Sequence, residues 1–210
     1  FTIYFLICEQ ARESQVLSSI ISDSYFFSDQ FHSKIFFKCR RLNTYFFCLC
    51  SFYGRWNMDE LSIDNAFSNA SIQSPSMAQC CIAGIWLHHG FLDESHKISQ
   101  SIDTPTGSYW HGLMHRREPD YPNSKYWFRR VGDHQVYEAL ASASREQIEQ
   151  DRLPGALPLA EGQWDPFQFV DMCENVVVRG NRDRELCQTL ARLEWELLFD
   201  NCHDRAIGAA

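Results

Sequence analysis

Over residues 182–203, Leu186, Leu190, Leu193, Leu197 and Leu198 recur at steps of three and four, the spacing of one helical face. A helix with a single apolar stripe must bury it against other elements, and that demand constrains the rest of the chain. Asp165-Pro166, just upstream, is an N-cap followed by proline at the first helical position. It predicts a helix through Val178 that buries Phe169, Val170, Cys173 and Val177 and stops at Gly180.

The same punctuation divides residues 77–150. MAQCCIAGIWLHH over residues 77–89 is apolar on most sides and closes at Gly90, as a buried helix does. Residues 91–102 repeat apolar side chains at Phe91, Leu92, Ile98 and Ile102, with Asp93 and Glu94 in the first turn; this predicts a second helix antiparallel to the first. Residues 104–107 read as a turn, after which Ser108 caps a third helix to about Glu118, stopped by Pro119 and Pro122. Asn123 or Ser124 caps a short fourth helix through Val131, and a fifth runs from His134 to about Gln150. Pro154, Gly155, Pro158 and Gly162 make residues 153–162 a loop. No strand alternation and no internal repeat follows Met58. The reading is a single compact all-α domain over residues 77–205, of about six to seven helices.

Residues 1–57 differ in kind. They hold 10 of the 16 phenylalanines, no proline and no methionine, and their aromatic clusters follow neither helical nor strand periodicity for long. Lys38, Arg40 and Arg41 interrupt the apolar runs, so no stretch of roughly 18 apolar residues spans a bilayer, and no signal-peptide pattern fits. We read this segment as conceptual translation from upstream of a start at Met58. A native N-terminal strand or hairpin extension is the alternative. Residues 58–76 form a polar leader with room for a short helix.

Composition narrows the function classes. With 45% hydrophobic and 22% charged residues, the sequence is that of a soluble globular protein. A net charge of -8 argues against general binding to nucleic acid. The charge is uneven: residues 135–210 carry 14 acidic and 7 basic side chains, whereas residues 96–134 carry 6 basic and 4 acidic. A cationic island on an acidic chain favours a small anionic ligand over a polymer. The nine cysteines include no CxxC pair, which suggests reduced buried thiols and a cytoplasmic protein.

The island, residues 108–134, concentrates the candidate chemistry. His111, His115 and Glu118 fall at i, i+4 and i+7 of the third helix, so two imidazoles and a carboxylate share one face. They are candidate ligands of a divalent metal, with His96 on the neighbouring helix as a further one. Two other readings of His111 and His115 are open: acid–base catalytic groups, or histidines hydrogen-bonded within a crowded core. The pattern is not HExxH, since no Glu follows His111. In the doublets Arg116-Arg117 and Arg129-Arg130, adjacent side chains diverge by about 100°, so one member of each can face a given pocket. That member is suited to bidentate capture of a carboxylate or phosphate, reinforced by Lys125 and the helix amides near Ser124, or else to pairing with Glu118, Asp120 or Asp133. Trp110 and Trp127 are either walls of a ligand pocket or core residues between helices. The chain carries no GxSxG elbow, P-loop or GxGxxG.

These residues carry a resemblance. Trp110, His111, Gly112, Met114, His115, Arg116, Arg117 and Glu118, then Lys125 through Gly132, resemble a family of small proteins sharing a W-H-G-x-M-H-R-R-E segment followed by K-Y-W-F-R-R-V-G. Trp164-Asp165-Pro166-Phe167 and Glu194-Trp195-Glu196-Leu197-Leu198 are similar to later signatures of that family. The resemblance covers residues 77–203 and implies no catalytic role for any of them.

Three functions follow as expectations. The first is binding, and possible turnover, of a small anionic ligand in a His/Arg/Trp-lined pocket. The second is a metal-dependent enzyme using the HxxxHxxE face. The third is a non-catalytic structural or interaction protein in which the island is an internal polar network.

Overall fold

The structure, a computed structural model, describes residues 61–67, 70–153, 155–179 and 183–209. The reading of residues 1–57, the stop at Gly180 and Pro154 lie outside the described residues. Eight helices occur among them: α1 (Ile63–Ala66), α2 (Pro75–His88), α3 (Leu92–Ser101), α4 (Pro105–Arg117), α5 (Tyr121–Val131), α6 (Val136–Asp151), α7 (Pro166–Arg179) and α8 (Arg184–Ile207). The fold is all-α, with one helix more than expected because the leader supplies the single turn α1. No described helix is long and apolar enough to cross a membrane.

Several boundaries move for identifiable reasons. The expected turn at residues 104–107 is the first turn of α4: the Thr104 hydroxyl accepts from Gly107 N at 3.0 Å and Pro105 occupies the first turn. Ser108 therefore lies inside the helix and does not cap it. Pro122 likewise starts a helix rather than stopping one, within α5 behind an Asp120 carboxylate that accepts from Asn123 N at 3.2 Å. A proline in the first turn removes only an amide that has no helical partner. The last helix runs four residues past His203, until Gly208 at φ 71° supplies the left-handed C-cap.

The segment expected to be loop contains β1 (Leu159–Ala160) and β2 (Gln163–Trp164), paired antiparallel with Leu159 opposite Trp164. Glu161 and Gly162, at φ 51° and 84°, form a two-residue turn of the kind that matches strand twist. Two residues per strand are too few to leave an alternating pattern. The hairpin buries Trp164 edge-on to Phe169, with ring centroids 5.0 Å apart.

The leader is docked rather than loose. Phe67 is buried and stacks on His203 at 5.8 Å, while Gln73 N and Ser74 N both donate to Ala206 O.

At the centre lies α4, where every residue from Thr106 to Arg116 is buried. Helices α2, α3 and α5 pack around it, and α8 packs on α2, α6 and α7. Its polar sequence hides this position, because a helix buried on all sides has no apolar stripe to detect. Trp110 is fully buried and donates its indole N–H to Cys202 Sγ at 3.4 Å. Glycine makes room for it: a Cβ on Gly84 would lie 2.7 Å from the Trp110 ring.

Candidate functional site

Two helices bring three histidines together. His111 and His115, one turn apart on α4, face His96 from α3, and one ring nitrogen of each lies within 4.8 Å of the others. The His111 and His115 rings stack with centroids 4.7 Å apart. His96 stands edge-on to both, at 4.7 and 5.3 Å. His111 is 1% exposed, His115 is 5% exposed, and His96 is half-buried.

The two α4 histidines differ in their partners. His115 Nδ1 lies 3.1 Å from Glu118 Oε2, and Nε2 lies 3.1 Å from the side-chain nitrogen of Asn123. Neutral His115 satisfies both if Nδ1–H donates to the carboxylate and Nε2 accepts from the amide. Neither nitrogen of His111 has a hydrogen-bond partner among the described residues, although both are buried. An imidazole sealed without partners forfeits one or more hydrogen bonds it would make to water, which ordinarily costs about 1–3 kcal/mol for each such group.

Glu118 therefore stands outside the cluster and orients His115, contrary to the expected i, i+4, i+7 set. At the C-terminal end of α4 the carboxylate turns back over one helical turn to its own histidine. Trp127 of α5 closes one side, its ring 3.8 Å from that of His111 and nearly parallel at 16°. The Ser124 hydroxyl donates to Gly112 O at 2.8 Å, which seats α5 against α4 beside the cluster.

Electrostatics keep the α4 imidazoles neutral. Burial, then the nearby His115 and His96, push His111 down to about 3. Burial also lowers His115, opposed by the Glu118 carboxylate. Near neutral pH both rings carry lone pairs. Such a His111 is a weak base, poorly matched to proton transfer around pH 7, but it is in the form that ligates metals.

The arginines and Lys125 do not converge on one anion. Arg116 is buried and paired with the equally buried Glu194 of α8, whose other oxygen accepts from Tyr109 Oη at 3.0 Å. Its guanidinium lies 4.4 Å from the Phe169 ring centroid. Burial alone would lower its pKa, but the Glu194 carboxylate outweighs this and raises it. Arg117 donates to Leu87 O at the end of α2, and burial followed by Arg116 pushes it down to about 10.

Lys125 pairs with Asp171 of α7, so neither it nor the α5 amides, capped by Asp120, is arranged for an outside anion. Arg129 is exposed. Arg130 reaches Asp103 at 3.4 Å and lies 5.2 Å from the Trp127 ring centroid. Trp110 belongs to the core rather than to a pocket wall.

Residue spacing could not identify Asn123, Tyr109 or Glu194 as partners. Asn123 read as a cap, and Glu194 lies 78 residues from Arg116. The one available signal was Glu194 on the leucine side of its helix, at i+4 from Leu190 and i−4 from Leu198. No protein-family model, curated protein or solved structure matches the chain.

Proposed function

We propose that His96, His111 and His115 bind one divalent transition-metal ion, of which zinc suits three imidazoles best. The observation that carries this reading is the convergence of three histidine nitrogens, one of them on a buried ring with no hydrogen-bond partner among the described residues. A tetrahedral ion about 2.0–2.1 Å from each ligand needs nitrogens roughly 3.4 Å apart. Binding therefore draws the rings inward from separations of up to 4.8 Å. Glu118 acts through His115 by fixing the Nδ1–H tautomer, so that Nε2 exchanges its Asn123 bond for the metal.

Three protein ligands leave a fourth position for water or a small anion. This retains the anionic ligand but moves its recognition from the arginines to the metal. Arg130 beside Trp127 supplies a cation at the rim. When bound, the metal would supply Lewis-acid chemistry at that position, with His96, His111 and His115 as the residues that would hold it. We place the protein in the cytoplasm, where buried cysteines free of disulfides, such as Cys80 and Cys81, persist. Both segments of the family resemblance contain site residues (His111, His115 and Glu118 in one, Trp127 in the other), and we extend the reading to proteins that share them.

Metal content and thermal stability of the purified protein, His111→Ala and Arg117→Ala test the proposal. The expected result is one ion per chain in the wild type and in Arg117→Ala, and none in His111→Ala. A metal-free wild type, with both variants strongly destabilised, would instead favour an internal polar network.

A further inference from the structure

Away from the histidines, Cys173 of α7 and Cys187 of α8 bring their sulfurs to 3.1 Å. Both side chains are fully buried and unpaired by any disulfide. That separation lies inside ordinary van der Waals contact between sulfurs, and about 1 Å of further approach reaches bonding distance. The two thiols share a hydrogen bond in the core, and that contact also holds the sulfurs where a disulfide could form. We propose that Cys173 and Cys187 are a redox modification site, joined as a disulfide by hydrogen peroxide and separated again by a small-molecule dithiol.

The chemistry balances with one peroxide. The sulfur of one cysteine attacks a peroxide oxygen, the O–O bond breaks, and a sulfenic acid and one water result. The second sulfur then attacks the sulfenic sulfur. The S–S bond forms as the S–O bond breaks, and the departing hydroxide takes the remaining thiol proton as a second water. Two thiols lose two electrons, and one peroxide is reduced to two waters.

Burial makes the reaction slow, because the thiol of Cys187 is raised by its hydrogen bond to Cys173 and by desolvation, and reagent enters only on local opening. Once one sulfur is oxidised, its partner is already in place. The cross-link would tie together the helices that hold Arg116. Cys187 precedes Glu194 by seven residues on α8, and Cys173 follows Phe169 by one turn of α7.

Peptide mapping of the full chain after hydrogen peroxide and alkylation tests this. Trypsin cuts between the two cysteines at Arg179, Arg182 and Arg184. The expected product is residues 153–179 joined to residues 185–192, lighter by two hydrogens than the separate peptides. It should disappear with dithiothreitol and in Cys187→Ala, and the oxidised protein should melt higher than the reduced one. The proposal is overturned if both peptides stay fully alkylatable, if either sulfur goes on to sulfinic or sulfonic acid instead, or if Cys173 is found joined to another cysteine. Should Cys187→Ala fail to fold, the wild-type map decides alone.

Discussion

Arg116 and Glu194, 78 residues apart in sequence, form an ion pair closed off from solvent, with side chains 4% and 0% exposed. The pair ties α4 to α8 and leaves the histidine face of α4 free to turn toward α3. Truncating one partner strands the other charge in the core. Glu194→Ala should therefore destabilise by about 3–5 kcal/mol in urea titration, whereas Arg130→Ala, on an exposed pair, should change stability by less than about 1 kcal/mol. Equal small effects would show that the buried pair does not hold the helices.

Gly84→Ala probes the packing behind the site. Its Cβ would meet the Trp110 ring at 2.7 Å, and the indole cannot retreat without losing Cys202. The expected loss is about 1–3 kcal/mol, the usual range for overpacking. Gly112→Ala, whose Cβ would meet Phe128 at 3.2 Å, should cost less. The reverse order in thermal melts would contradict the packing described.

His134 should make stability fall in mild acid. Its Nδ1 accepts from Val136 N at 3.3 Å and its Nε2 lies 3.2 Å from Thr106 Oγ1, an arrangement suited to the neutral ring. Burial, then Arg205, lowers it to about 4, with Asp133 opposing; the rings of Tyr109 and Tyr137 also face it. The unfolded chain, with a value near 6.5, binds the proton more readily. The stabilisation is therefore complete above about pH 6.5 and is lost as pH falls toward 4, amounting to about 3 kcal/mol. Denaturant titrations at pH 7.5 and pH 4.5 should show this slope in the wild type and a shallower one in His134→Gln. An unchanged slope in the variant would assign the acid sensitivity elsewhere.

Glu118→Ala removes the group that orients His115 without removing a ligand. Metal affinity should fall by about 10–100-fold while the metal-free fold stays close to wild type, since the Glu118 side chain is 35% exposed. Competition against a zinc chelator measures this. An unchanged affinity would remove Glu118 from the site.

Much of the helical architecture was legible because proline, glycine and leucine spacing report local backbone demands. Asp165-Pro166 and the leucines of α8 led directly to the last two helices. Thr104-Pro105 carried the same start signal but was read as a turn, which shifted the N-cap of α4 by four residues. The β1–β2 hairpin left no trace, since its strands have two residues each.

Within the candidate site, helical spacing brought His111 and His115 to one face, and a place on the neighbouring helix suggested His96. The partners of the cationic residues were not legible. Whether Arg116 meets an outside anion or Glu194 depends on how α8 packs, and no local pattern encodes that. Glu118 was misplaced for a related reason: an i+7 position shares a face, but a side chain at a helix end can turn back to its neighbour.

The central claim is that three histidines form one metal centre. Cobalt(II) titration of chelator-stripped protein, followed by visible absorption, tests it most directly. One ion per chain should bind with the intense bands of a four-coordinate site. His96→Ala, His111→Ala and His115→Ala should each weaken binding by more than about 100-fold, a larger loss than for an outer-shell residue. No cobalt bound by the wild type, or equal binding by all three variants, would contradict it.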